Sequence, residues 1–300
     1  MSISLRKQAP SLCLYDNQTV KFTYEGERYC VHVHNDECPE DPRSWDTPIS
    51  TMACFHRRYR LGDDIKTSDP EEFWRDLVSE HMMAVDLVDA VRNDEVDGIR
   101  IDPIKDDPEH VNLMTSWSFR GDERWGCDII DNDPYDLSSA ILSNLTIYNC
   151  QQLLEPYLEW LPLWLYDHSG ITMSCGARTY PYNDEWDSGC VGWIIMTKET
   201  ALKERIGCCD ESNWREKAIA DMEAEVALYD QYLTGEVYGF TLYREEDGEW
   251  IEQDSCWGFY GDDVMANGIS DNVPGLAAAV ESNQYETGKA ERHVSVSYSF

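Results

Sequence analysis

The chain has 300 residues, 42% of them hydrophobic and 12% aromatic, enough apolar material for a buried core, which excludes a globally disordered protein. Asp and Glu number 58 against 24 Lys and Arg, a formal net charge of −34 that argues against direct contact with nucleic acid or anionic membranes and for basic protein partners. No run approaches the ~20 apolar residues of a membrane helix, and Met1–Tyr15 carries two basic residues with no apolar run behind them, so no secretory signal is expected.

The charge is unevenly spread. Residues 1–60 hold 8 acids and 8 bases; residues 61–160 hold 24 acids and 7 bases, and residues 161–300 hold 26 and 9. Three causes of this acidity stay open: a solvated surface that keeps the chain in solution, adaptation to high internal salt, or imitation of the phosphate track of DNA. The eleven cysteines are odd in number, in a long chain without an export signal, which favours reduced thiols over a disulfide framework.

In chain order, Val20–Tyr24 and Arg28–Val33 alternate around Glu25-Gly26-Glu27 and predict a β-hairpin. Thr51–Tyr59 is a third strand. Ser68-Asp69-Pro70 opens a helix whose face carries Trp74, Leu77, Val78, His81, Val85, Val88 and Val91. Residues 93–134 are acidic and predict little regular structure beyond a short strand or two. Asp133-Pro134 starts a helix to about Glu159, broken near Pro156. Leu163–Tyr166 and Ile171–Ser174 are short strands around the turn Asp167-His168-Ser169-Gly170, and Cys190–Thr197 is an apolar strand. Asn213–Glu216 has the spacing of a capping box for a helix closed by Gly235. A hairpin of Val237–Tyr243 and Glu249–Trp257, a helix near 274–281 and a last strand, His293–Tyr298, complete the chain. The expected fold is α+β, an antiparallel or mixed sheet with helices packed on one face and an acidic insertion. The expected parts are a β-rich core segment 1–63, a separable insertion 64–134 and an α+β core 135–300.

Pro42-Arg-Ser-Trp-Asp46, Met52-Ala-Cys-Phe-His-Arg-Arg-Tyr-Arg-Leu-Gly-Asp63, Leu161-Pro-Leu-Trp-Leu-Tyr-Asp-His-Ser-Gly170 and Trp186-Asp-Ser-Gly-Cys-Val-Gly192 together resemble a pattern in uncharacterised proteins of bacterial viruses and mobile elements. The acidic stretch from Asp64 to about Tyr148 lies outside that pattern. The resemblance carries no catalytic residues with it. It implies a phage-like setting in a host cytoplasm, where small non-enzymatic inhibitors of host defence are common.

Cys30, His32 and His34 fall on one strand face and, with Cys38 or with Cys54 and His56, supply zinc-ligand types; their spacing matches no standard finger or knuckle, so neither metal nor other cofactor is expected. Asp167-His168-Ser169 contains triad residue types, but a triad converges in space, and adjacency reads first as a turn. Nucleophile-elbow, Walker and dinucleotide patterns are all missing. His56-Arg-Arg-Tyr-Arg60 is the one dense basic island, expected to pair with acids such as Asp63 and Asp64, or else to hold a phosphate or the acidic part of a second subunit. The expected function is therefore stoichiometric binding to a basic, DNA-binding defence complex of the restriction, CRISPR or Gabija type, with Asp94, Asp97, Asp106, Asp107 and Glu109 as contact residues. The rival expectation is a metal-dependent hydrolase or nucleotide-processing enzyme using His32, His34 and His56. A homo-oligomer is left open.

Overall fold

In a computed structural model the described residues are 11–176, 186–204 and 208–290. They form β1 (Gln18–Tyr24), β2 (Glu27–Asn35), β3 (Thr51–Cys54), α1 (Pro70–His81), α2 (Ala84–Arg92), β4 (Ile99–Ile104), β5 (Asp107–Phe119), β6 (Asp122–Asp131), α3 (Pro134–Asn144), α4 (Ile147–Leu154), β7 (Leu158–Asp167) and β8 (Ile171–Ser174), followed by β9 (Ser188–Thr197), α5 (Lys198–Glu204), α6 (Trp214–Thr234), β10 (Val237–Glu246), β11 (Glu249–Tyr260), α7 (Ile269–Asn272), α8 (Leu276–Glu281) and β12 (Tyr285–Lys289). The fold is α+β with antiparallel pairing throughout, its strands divided among three sheets of order β11-β10-β2-β1-β12, β3-β9-β7-β8 and β4-β5-β6.

Turn chemistry sets the hairpins. Glu25-Gly26, Arg120-Gly121 and Asp247-Gly248 each place two successive residues at positive φ, the two-residue turn whose twist matches paired strands. In the five-stranded sheet, Val20, Phe22, Val31, Val33, Phe240 and Leu242 turn one face onto Ile269, Leu276 and Val280. The four-stranded sheet is covered on both faces. Leu163, Leu165, Ile194 and Met196 pack on Met222, Val226 and Tyr229 of α6. Trp160 and Trp193 meet Trp74 of α1 edge-on at 5.6 and 5.5 Å between ring centres. Gly192 sits at a bulge in this sheet, where a Cβ would lie 1.9 Å from the Ala53 carbonyl oxygen, so no larger residue fits.

Several boundaries differ from expectation. Residues 93–134 are not loop-rich: they form a complete three-stranded sheet. Its outer strand β6 is almost wholly exposed and its acids read as loop composition, a common dress for an edge strand. The helix over 74–91 breaks at Met82-Met83 into α1 and α2. The helical stretch from Pro134 stops just ahead of Pro156, at Leu154, and does not resume. It also breaks earlier, at Leu145, because Thr146 starts a new helix: its hydroxyl accepts from the Asn149 N–H at 3.2 Å, and Asn149 Oδ1 accepts from the Thr146 N–H at 3.1 Å. The third strand ends at Cys54, and the strand expected at Leu163 starts already at Leu158. Asn213 does not build the expected box; its Oδ1 accepts from the Asp210 N–H at 2.8 Å instead. The expected strand His293–Tyr298 lies outside the described residues.

The insertion boundary at 134 does not follow the packing. One hydrophobic cluster joins Trp74, Val78, Leu87, Val91, Val111 and Leu113 to Leu137, Ile141, Leu145, Leu154, Leu158 and Ile195. Replacing residues 64–134 by a short Gly-Ser linker should therefore strip the apolar partners from α3, α4 and one face of the four-stranded sheet. The expected product has lost its near-ultraviolet circular dichroism while keeping much of its far-ultraviolet signal; a linker variant with native near-ultraviolet spectrum and cooperative unfolding would show that 64–134 is separable after all.

Candidate functional site

The four sequence motifs sort into two structural jobs. The first is a clamp. Asp41 caps the turn Pro42–Ser44, which presents Arg43 inward with its side chain only 4% exposed. The guanidinium grips Asp63 through two bonds of 2.8 Å, donates to Glu225 of α6 at 2.6 Å and to the Ser50 carbonyl at 2.8 Å. Glu225 also accepts from the Ile49 N–H at 2.9 Å and from the Ser50 hydroxyl, and Asp63 from the Met52 N–H at 2.7 Å. Burial alone would lower the Arg43 pKa; Asp63 and Glu225 outweigh it and hold the group charged. Arg43→Met should leave two carboxylates without their cation and cost about 3 kcal/mol or more, read as a drop in the urea midpoint at unchanged slope; a loss under about 1 kcal/mol would show that the clamp is not structural.

The second job is a cleft. Phe55–Arg58, Pro70, Leu165, Asp167 and residues 186–193 line a hollow of about 850 Å³ at one end of the four-stranded sheet. Three motifs far apart in sequence meet there. Arg58 bridges to Asp167 at 3.0 Å, and the Tyr59 hydroxyl reaches the other oxygen of the same carboxylate at 3.3 Å. Asp167 N–H donates to the Asp187 carbonyl at 2.7 Å, and His168 Nδ1 meets the Asp187 carboxylate at 2.8 Å. His56 stacks on Tyr59 with ring centres 5.0 Å apart and accepts at Nδ1 from the Arg58 and Tyr59 N–H groups. The neutral ring thus carries its proton on Nε2. The basic island pairs only in part as expected: Arg60 meets Asp64 at 2.7 Å, but Asp63 belongs to Arg43. Asp167, His168 and Ser169 form no relay. Ser169 stands at φ 60° in a turn, and the other two bond to different partners.

The five expected contact acids are not one cluster. Asp94 and Asp97 precede β4, whereas Asp106, Asp107 and Glu109 follow it; all but the half-buried Asp107 are exposed. The five steps of ~3.3 Å along β4 put the groups about 17 Å apart, roughly twice the ~8 Å Debye length. They act as two patches. At the second, His110 lies between Asp107 at 2.9 Å and Asp131 at 3.2 Å, and the hydrogen bond it donates to Asp107 raises its pKa above the ordinary value. A raised folded-state pKa gives stability that is full below the unfolded value of ~6.5 and is lost as pH rises through the folded value. By NMR, His110 should titrate above an unpaired histidine, and Asp107→Asn should bring its midpoint down while removing that share of the acid-side stability; an unmoved midpoint would deny the pairing.

Sequence reasoning named none of the exposed aromatic groups of this sheet, which lie at the end of β5 and β6 away from the second patch. Trp117 is 50% exposed and Phe119 47%, on the side of β5 that holds Val111 and Leu113 in the core further back. Trp125 of β6 is 41% exposed, and Arg100 lies 5.3 Å over its ring. The strand alternation carried the signal, but the acids around it masked it. Cys30, His32 and His34 do share the outer face of β2, with the two imidazole rings 3.9 Å apart. Burial lowers the pKa of both histidines. Among the described residues no three His, Cys, Asp or Glu side chains converge as a metal site, and none of the eleven cysteines forms a disulfide. Compared with protein-family models, with curated proteins and with solved structures, the chain matches none. Among the described residues no helix is long and apolar enough to cross a membrane.

Proposed function

We propose that this chain is a non-enzymatic, stoichiometric binder that occupies the basic nucleic-acid groove of a host DNA-targeting defence complex and acts in a host cytoplasm. One observation carries the reading: no Asp or Glu among the described residues is buried, so the charge excess faces solvent instead of serving the core. Surface charge of one sign steers a basic partner into contact, and desolvated aromatic anchors hold it. Trp117, Phe119 and Trp125 supply such anchors on the same small sheet as the two acidic patches. The enzyme reading through His32, His34 and His56 gains no support. The first two lie on the five-stranded sheet, and the third follows β3 of another.

Immobilised protein, exposed to lysate from bacteria carrying a restriction, CRISPR or Gabija system, should retain the DNA-binding complex at low salt. Duplex DNA should compete for it, and raised salt should release it. Reversing Asp94, Asp97, Asp106, Asp107 and Glu109 to Lys should cut retention at least about tenfold without unfolding the chain, and each patch reversed alone should account for part of the loss. In the same bacteria, expression of the chain should restore phage plating. Retention that ignores salt, DNA and the reversals would refute charge mimicry.

A further inference from the structure

Every described arginine but one is engaged. Arg28, Arg43, Arg58, Arg60, Arg75, Arg92, Arg100, Arg215 and Arg244 have carboxylate partners, and Arg120 and Arg124 lie over the Phe119 ring. The exception is Arg57, which lines the cleft. In a chain with 58 acids and 24 bases, a described guanidinium with neither a carboxylate nor an aromatic ring as partner is the outlier. The acids nearest in the cleft are already committed. Asp167 is held by Arg58 and Tyr59, and Asp187 by His168.

The surroundings of Arg57 define the ligand chemistry. His56 spends Nδ1 on backbone N–H groups, so its Nε2–H is a second donor. Arg58 uses one terminal nitrogen on Asp167 and keeps its other N–H groups, with a side chain 72% exposed. Two guanidinium groups and an imidazole N–H suit a doubly charged, multi-oxygen anion. Apolar side chains, Phe55, Pro70, Leu165, Val191 and Trp193, share the lining with the committed carboxylates Asp167 and Asp187 and with Ser188. A volume of about 850 Å³ exceeds what a bare oxyanion fills and is within the range of small-molecule pockets. The net charge of −34 then selects for size, because repulsion grows with the ligand's charge and weighs far more on a polyanion than on a single phosphate.

We propose that this cleft binds a small phosphomonoester with a planar body, of the nucleoside monophosphate class, with Arg57 as its main phosphate contact. The site is independent of the acidic patches used for partner binding.

Adenosine 5′-monophosphate, adenosine, inorganic phosphate and a single-stranded oligonucleotide serve as probes, with tryptophan fluorescence and calorimetry as readouts. The monophosphate should bind saturably and perturb tryptophan emission. Inorganic phosphate should bind more weakly, and adenosine should not bind measurably. Arg57→Ala should weaken the monophosphate about ten- to hundredfold, the range for losing a hydrogen bond to a charged group. Arg28→Ala, on a different sheet, should leave the affinity unchanged. Equal melting temperatures for the two variants and the unaltered protein separate loss of contact from loss of fold. Absence of monophosphate binding, affinity indifferent to Arg57→Ala, or an oligonucleotide that binds more tightly than the monophosphate would each overturn the proposal.

Discussion

A single buried guanidinium decides where most of the candidate chemistry stands. Arg43 holds three stretches that meet nowhere else in sequence: the turn that carries it, the end of the 55–63 loop through Asp63, and the long helix α6 through Glu225. Asp63 in turn fixes the backbone of Met52, and the loop closes on itself through the bridge between Ala53 and Gly62, whose N–H is tied to the Tyr229 hydroxyl at 2.9 Å. Both ends of the 55–61 loop are thus pinned to β3 and α6, and its middle, Arg57 and Arg58, is projected across the end of the sheet. A charge in so dry a place is costly unless every bond is made, and here the Ser50 carbonyl, the Ser50 hydroxyl and the Ile49 and Met52 N–H groups complete the set.

The four-stranded sheet is the spacer of the molecule. One face meets α6 and the other meets the tryptophans of the helical layer, so its strands are apolar on both sides and its polar work is confined to its ends. The cleft forms at one such end, where the chain enters β9 and leaves β7. Acidity is excluded from all three hydrophobic clusters. It collects on the exposed faces and edges, where it competes least with packing. The cleft and the acidic patches are therefore separate surfaces, built on different sheets.

Much of the fold was legible where local chemistry was unambiguous. Asp69-Pro70 capped α1, Gly235 closed α6 in the left-handed conformation, and Glu25-Gly26 and Asp247-Gly248 turned their hairpins as alternation and glycine required. Reading failed where composition competed with pattern. Asp122, Glu123, Asp128 and Asp131 made β6 look like loop, although Val111 and Leu113 on its neighbour alternate cleanly into the core. It failed again at Thr146, because Thr-x-x-Asn caps a helix through the same bonds as the commoner Glu or Gln signature without advertising it. The cleft was half visible. The basic island and the Asp167–Gly170 turn stood out as residues, but only the pairing of β7 with β9 and the closed 55–61 loop bring them together. That Arg43 takes Asp63 from the island was beyond any local reading, since Glu225 lies 182 positions away.

The five-stranded sheet is assembled from the two ends of the described chain: β2 pairs with β10, Asn35 opposite Tyr238. During synthesis the β1–β2 hairpin therefore waits for about two hundred further residues before its open edge is covered, roughly 10–40 s at 5–20 residues per second. A two-stranded hairpin with Val31 and Val33 facing water is marginal alone and offers an unpaired edge to its neighbours on the polysome. The stretch between, residues 61–160, holds 24 acids and 7 bases. While the first hairpin is unprotected, the emerging chain becomes a mutually repelling brush, and the same charge that shapes the finished surface keeps unfinished copies apart.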